Sequence, residues 1–119
     1  MDPYVIIETR MQRIRTKTLQ NAGKNPVWTN EVMNVDVKYI GDDMTIKIMD
    51  ANLTDDEKIG DATIKLSAMC VNGGLDEWWT VAHAGKKAGS IHLCAEWIPS
   101  GEEPAEEAEE EKVEEAPAQ

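Results

Sequence analysis

A period of two runs through the first hundred residues, and it bounds what this chain can fold into. Ile91, Leu93, Ala95 and Trp97 alternate with His92, Cys94 and Glu96, the signature of a strand with one face buried and one in water. Met44, Ile46 and Ile48 alternate with Thr45, Lys47 and Met49, Ile64 and Leu66 with Thr63 and Lys65, and Val35, Val37 and Tyr39 with Asp36 and Lys38. Ile14, Thr16 and Thr18 alternate with Arg13, Arg15 and Lys17, while Tyr4–Thr9 and Trp78–Ala82 are rich in β-branched or aromatic residues. Turn signals separate these seven predicted strands: Ala22-Gly23-Lys24-Asn25-Pro26, Gly41-Asp42-Asp43, Asn52 to Gly60, Asn72-Gly73-Gly74 and Ala84-Gly85-Lys86-Lys87. Only 66–71 can hold a helical turn, so there is no helix for a βαβ crossover. The expected class is all-β, an antiparallel sandwich or barrel, and a doubly wound enzyme is excluded.

Charge divides the chain. The 119 residues carry a formal net charge of −11, and residues 102–115 alone hold nine Glu and one Lys, which leaves −3 for the rest. From Gly101 onward Val113 is the single branched apolar side chain, too little to offset ordering entropy. Residues 1–100 are therefore read as one folded domain and 101–119 as a disordered Glu/Ala-rich tail. No apolar run approaches the ~20 residues of a membrane-spanning helix. Residues 1–15 lack the apolar core of an export signal, and Cys70 and Cys94 are expected to be reduced thiols in a cytoplasmic protein.

The densest chemistry lies in Asp50-Ala51-Asn52-Leu53-Thr54-Asp55-Asp56-Glu57-Lys58-Ile59-Gly60-Asp61, with five acidic groups against one Lys. A hard cation such as calcium takes about six to eight oxygen ligands, best supplied by carboxylates on a loop able to converge. The preceding strand would hold the first of them in place. The spacing is not that of the helix–loop–helix calcium motif, and an acidic loop that only keeps the domain soluble is the alternative reading.

Four segments, in order, carry a resemblance: Asp2-Pro3-Tyr4-Val5; Asn25-Pro26-Val27-Trp28 with Asn30-Glu31; Ile48-Met49-Asp50 with Ile59-Gly60; and Gly89-Ser90-Ile91 leading to Trp97. Together they resemble a C2 domain, in the style of the short single-C2-domain proteins typified by plant elicitor-responsive proteins. The resemblance implies a C2-type antiparallel β-sandwich whose loops at one end bind calcium and dock on phospholipid head groups. Carried over by position, Asp2, Asp50, Asn52 and Asp56 or Glu57 are the implied metal ligands. Asn52 departs from the family's acidic residue and removes one negative charge. The family's first strand and the other first-loop Asp have no counterpart here, so seven strands of an expected eight are recognisable. The chain is therefore expected to be a fragment or to borrow a strand from a partner, including a strand-donating second copy.

Arg13, Arg15 and Lys17 share one strand face at about 7 Å spacing, with Arg10 and Lys24 near in sequence. The row resembles the lysine-rich lipid-binding strand of some C2 domains, and Tyr4 corresponds to a residue of that lipid site. An anionic phospholipid surface is the implied partner, reached by peripheral membrane association. The row is too short for nucleic acid in a net-acidic protein. Trp28, Trp78 and Trp97 are predicted to be core and Trp79 exposed. His83 and His92 have no Cys or second His at the usual ligand spacing, so zinc is not expected. No catalytic constellation stands out. Two functions remain open: a calcium-dependent phospholipid-binding module, or a calcium-independent protein-interaction domain with a degenerate calcium site.

Overall fold

The computed structural model describes residues 1–99 and the backbone of 111–116. Its strands are β1 (Pro3–Glu8), β2 (Arg13–Arg15), β3 (Asp43–Asp50), β4 (Glu57–Lys65), β5 (Gly74–His83), β6 (Lys86–Glu96) and β7 (Glu111–Ala116), with one short helix, α1 (Leu66–Cys70). All pairings are antiparallel, in the order β2-β1-β3-β4-β5-β6-β7. β3–β4 and β5–β6 pair along their lengths, whereas β4 meets β5 through the single pair Asp61–Ala82. At that corner the sheet folds over, as expected of a C2-type sandwich. One layer supplies Val5, Ile7, Met44, Ile46, Ile48 and Ile64 to the core, and the other Val81, Ile91 and Leu93.

Local chemistry explains how the layers are joined. Ala84 and Gly85 carry the positive φ angles, 52° and 81°, that link β5 to β6, the turn geometry whose twist matches a hairpin. Gly60 sits at the corner, where a Cβ would lie 3.2 Å from that of Ala88 and 3.3 Å from the Ala82 carbonyl oxygen. α1 falls within the segment expected to hold a helical turn and buries Leu66 and Met69. Trp28 closes the core, its indole N–H donating to the Lys17 carbonyl at 3.0 Å. Thr16 is buried and satisfied: its Oγ1 accepts the Val5 N–H at 2.9 Å and donates to the Lys17 carbonyl at 2.9 Å.

Three expectations differ from the structure. The predicted strand Val35–Tyr39 forms no ladder, although Val35 is buried, Val37 packs on the core and Asp36 and Lys38 face water. An apolar cleft lined by Val35, Val37, Met69, Ala95 and Trp97 lies between this segment and β6, and the segment bonds to side chains and turns in place of a strand, as the Asp36 N–H does to Gln12 Oε1 at 2.8 Å. The tryptophan assignment is reversed: Trp78 is 55% exposed, whereas Trp79 packs against the core. Val81 anchors the inward face of β5, and parity then carries Trp79 inward and Trp78 outward. Trp97 is only half-buried. Lastly, the backbone of Glu111–Ala116 lies along the outer edge of β6 as β7, where composition predicts no regular structure. Backbone pairing needs only free N–H and C=O groups, which an edge strand offers to any extended segment. The rest of the predicted tail, 101–110 and 117–119, lies outside the described residues. None of the described helices is long and apolar enough to cross a membrane.

Candidate functional site

The β1–β3 register builds one end of the sandwich from two strand termini. It pairs Pro3 with Asp50, so Asp2 and Asp50 are neighbours: the Asp2 N–H donates to Asp50 Oδ1 at 2.9 Å, and the Ala51 N–H to the Asp2 carbonyl at 3.0 Å. The Asn21 N–H donates to Asp2 Oδ1 at 2.8 Å, tying a third segment to this end. Glu57 opens β4 directly opposite Asp50. In the loop between them, the Asn52 N–H donates to Asp56 Oδ1 at 3.1 Å and the Asn52 amide to the Asp55 carbonyl at 3.1 Å. The Tyr4 hydroxyl donates to Asp56 Oδ2.

Asp56 is thus committed to protein donors through both oxygens. The Tyr4 hydroxyl, then the Asn52 N–H, hold its carboxyl below the ordinary carboxylate range, while the same hydrogen bond, followed by burial, raises Tyr4. The predicted ligands Asp2, Asp50, Asn52, Asp56 and Glu57 belong to the β1 and β3 ends, the β4 start and the loop between. Their all-oxygen donor set at adjoining strand ends fits a hard cation in kind. Among the described residues, however, no three of these carboxylates converge to ligand distance.

The predicted lipid residues form a face beside this end. Across the sheet, Arg15 lies opposite Ile6 and Ile6 opposite Lys47, with Arg13 opposite Glu8. Two strand spacings place Arg15 and Lys47 about 10 Å apart. Arg13, Arg15 and Lys17 are exposed as predicted. Tyr4 is not: only 5% accessible, its ring lies beneath the Arg15 guanidinium, 3.7 Å from Cζ to the ring centre. Lys47 is an addition that sequence reasoning missed, because it stands in another strand; its outward parity in Thr45-x-Lys47-x-Met49 was the available signal. Glu8 pairs with both Lys47 and Arg13. Its pKa is lowered, chiefly by the hydrogen bond from Lys47 and further by the charges of Lys47 and Arg13, against an opposing desolvation effect.

An acidic end joined to a basic sheet face through one buried tyrosine accords with the order of segments found in the sequence. The profile of the C2 domain matches residues 1–81. This chain belongs to the C2 domain family. It is 34% identical to elicitor-responsive protein 3 of Oryza sativa subsp. japonica over 76 residues, covering 63% of this chain and 52% of that protein. It is 34% identical to extended synaptotagmin-1 of Rattus norvegicus over 96 residues, 80% of this chain and 8% of that protein. Extended synaptotagmin-2-B of Xenopus laevis is 30% identical over 98 residues, 82% of this chain and 11% of that protein. The C2 domain described here spans about half the length of the rice relative and about a tenth of the synaptotagmins. The family is one of binding and targeting modules.

This C2 domain carries a second group of side chains, on the outward face of the β5–β6 hairpin and away from the loop end. Register places Asp76 opposite Cys94 and Trp78 opposite His92. His92 Nε2 meets Asp76 Oδ1 and lies 3.9 Å from Cys94 Sγ. The Trp78 ring stacks on the His92 imidazole at 5.0 Å between centres. Sequence spacing gave His92 no Cys or second His of a zinc motif, yet the strand brings Cys94 Sγ beside its imidazole. Residues two apart on a strand share a face, so His92 and Cys94 were legible as neighbours; Asp76, sixteen residues away in sequence, was not.

Proposed function

We propose that this C2 domain is a non-catalytic docking module that takes up calcium at its loop end and attaches peripherally to anionic phospholipid on the cytoplasmic side of a membrane. Residues 1–100 form the docking domain and 101–119 an acidic tail. The observation that supports the reading is the β1–β3–β4 register, which brings the strand ends that carry Asp2, Asp50 and Glu57 to one end of the sandwich. Asp2 and Asp50 hold the cation, Glu57 or Asp56 completes the acidic set, and Asn52 contributes an amide oxygen without charge. Calcium supplies positive charge that cancels the carboxylates and turns a surface repelling anionic lipid into one attracting it. The protein's own residues do the rest. Arg13, Arg15, Lys17 and Lys47 present a basic face to head-group phosphates, and Tyr4 ties that face to the loop through Asp56 and Arg15. The absent charge at Asn52 and the hydrogen bonds Asp56 must exchange both make affinity weak. Sedimentation with vesicles of neutral and acidic phospholipid is the test. More protein should pellet in millimolar calcium than in chelator, and Asp50→Asn should lose that difference. Equal binding in both conditions rejects the calcium switch.

One observation favours a second reading, a calcium-independent interaction domain. Both oxygens of Asp56 already accept hydrogen bonds from the fold, so the loop is closed upon itself. Under this reading calcium produces no heat and no shift in thermal midpoint, whereas a ligand at a hundred times its Kd adds about 2.7 kcal/mol. The partner is then a protein, engaged through the tail or an open sheet edge.

A further inference from the structure

Asp76, His92 and Cys94 offer one ligand atom each, and these atoms all lie within 4.8 Å of one another. Their arrangement excludes a proton relay. In a nucleophile–imidazole–carboxylate relay the base and its orienting acid occupy opposite ring nitrogens, whereas here the thiol and the carboxylate both converge on Nε2 of His92. The three donors face one another on one side of the hairpin, and an ion seated among them would take the place of the hydrogen bond between His92 and Asp76. Zinc bond lengths of about 2.3 Å to sulfur and 2.0–2.2 Å to nitrogen and oxygen place tetrahedral ligand atoms roughly 3.4–3.6 Å apart. The observed 3.9 Å between Cys94 Sγ and His92 Nε2 is a small rotamer adjustment from that edge.

We propose that Asp76, His92 and Cys94 form a binding site for a borderline transition-metal ion, zinc, on the outer face of the β5–β6 hairpin. Chemistry separates this site from the loop end. A thiolate with an imidazole selects zinc-like ions, while calcium takes oxygen donors only. The support is rigid: Asp76 and Cys94 are directly paired across the ladder, Trp78 and His92 are the next pair on the same face, and the hairpin is closed by a two-residue turn. Trp78 packs on the imidazole, limiting its rotation and giving this exposed indole a role. Three protein ligands leave the fourth tetrahedral position to water.

The full chain is titrated with Co²⁺ as a spectroscopic probe and with Zn²⁺ in competition with a chromophoric chelator. One equivalent of Co²⁺ should give tetrahedral d–d bands and a near-ultraviolet thiolate-to-cobalt charge-transfer band. Excess Zn²⁺ should abolish both, and millimolar Ca²⁺ should leave them. Cys94→Ser should remove the charge-transfer band, and Cys70→Ser should retain it. Asp76→Asn and His92→Gln should each weaken Zn²⁺ binding at least about tenfold, with thermal midpoints showing the variants folded. Absence of the thiolate band, or Zn²⁺ titrations alike in the parent, Asp76→Asn and Cys94→Ser, overturns the proposal and assigns any binding to the acidic loop or tail.

Discussion

Tyr4 does more than its position in the Asp2-Pro3-Tyr4-Val5 segment implies. Its hydroxyl bonds Asp56 and its ring lies under Arg15, so one side chain touches both the acidic loop and the basic face. The pH dependence follows from the two shifts. Asp56 is lowered from 3.8, so its contribution is complete above that ordinary value and is lost as pH falls through the lower folded value. Tyr4 is raised from 10.0, so its contribution is complete below that value and is lost as pH rises through the higher folded one. The stability difference between the parent and Tyr4→Phe, followed by urea unfolding, should be greatest between about pH 4 and 10 and shrink on both sides. A difference constant with pH would detach the hydroxyl from Asp56. Glu8 acts in the opposite sense on the basic face, pairing with Arg13 and Lys47. Glu8→Gln should raise affinity for anionic vesicles about fivefold, equivalent to ~1 kcal/mol for one surface charge.

At the scale of elements, corners and hairpin ends are fixed by backbone approach. Gly74 begins β5 with φ +140°, and a Cβ there would fall 2.0 Å from the Ala95 carbonyl oxygen. At Gly60 the nearest neighbours of a Cβ lie between 3.2 and 3.4 Å, a contact the strands can relax. Gly74→Ala should therefore cost more than about 2 kcal/mol and Gly60→Ala less, measured by chemical denaturation; the reverse order would contradict this packing. Alternation made most strands legible in the sequence, and the inward parity of Val81 could have corrected the two adjacent tryptophans. The segment Val35–Tyr39 shows the limit of that reading. Its side chains alternate correctly, yet a ladder needs another strand alongside as well as a pattern.

Across the whole molecule, charge is segregated more sharply than shape. Removing residues 102–119 deletes nine Glu and one Lys and takes the formal net charge from −11 to −3. Eight net negative charges that repel an anionic membrane are then gone. Truncation should raise affinity for anionic vesicles, more at 10 mM salt than at 150 mM, because salt screens that repulsion. Affinity unchanged by truncation at both salt concentrations would rule that repulsion out.

The sequence by itself determined the strand periodicity, the separation of an acidic end from a basic strand, and the order of segments that marks the family. Those properties are local, because alternation and composition are written along each stretch of chain. Only the tertiary structure decided which side chains meet. The Tyr4–Asp56 bond joins residues 52 apart, the Asp2–Asp50 contact residues 48 apart, and Lys47, Glu8, Asp76 and His92 acquire their partners across strands. Register sets these contacts, and register is a property of paired strands that no single strand carries.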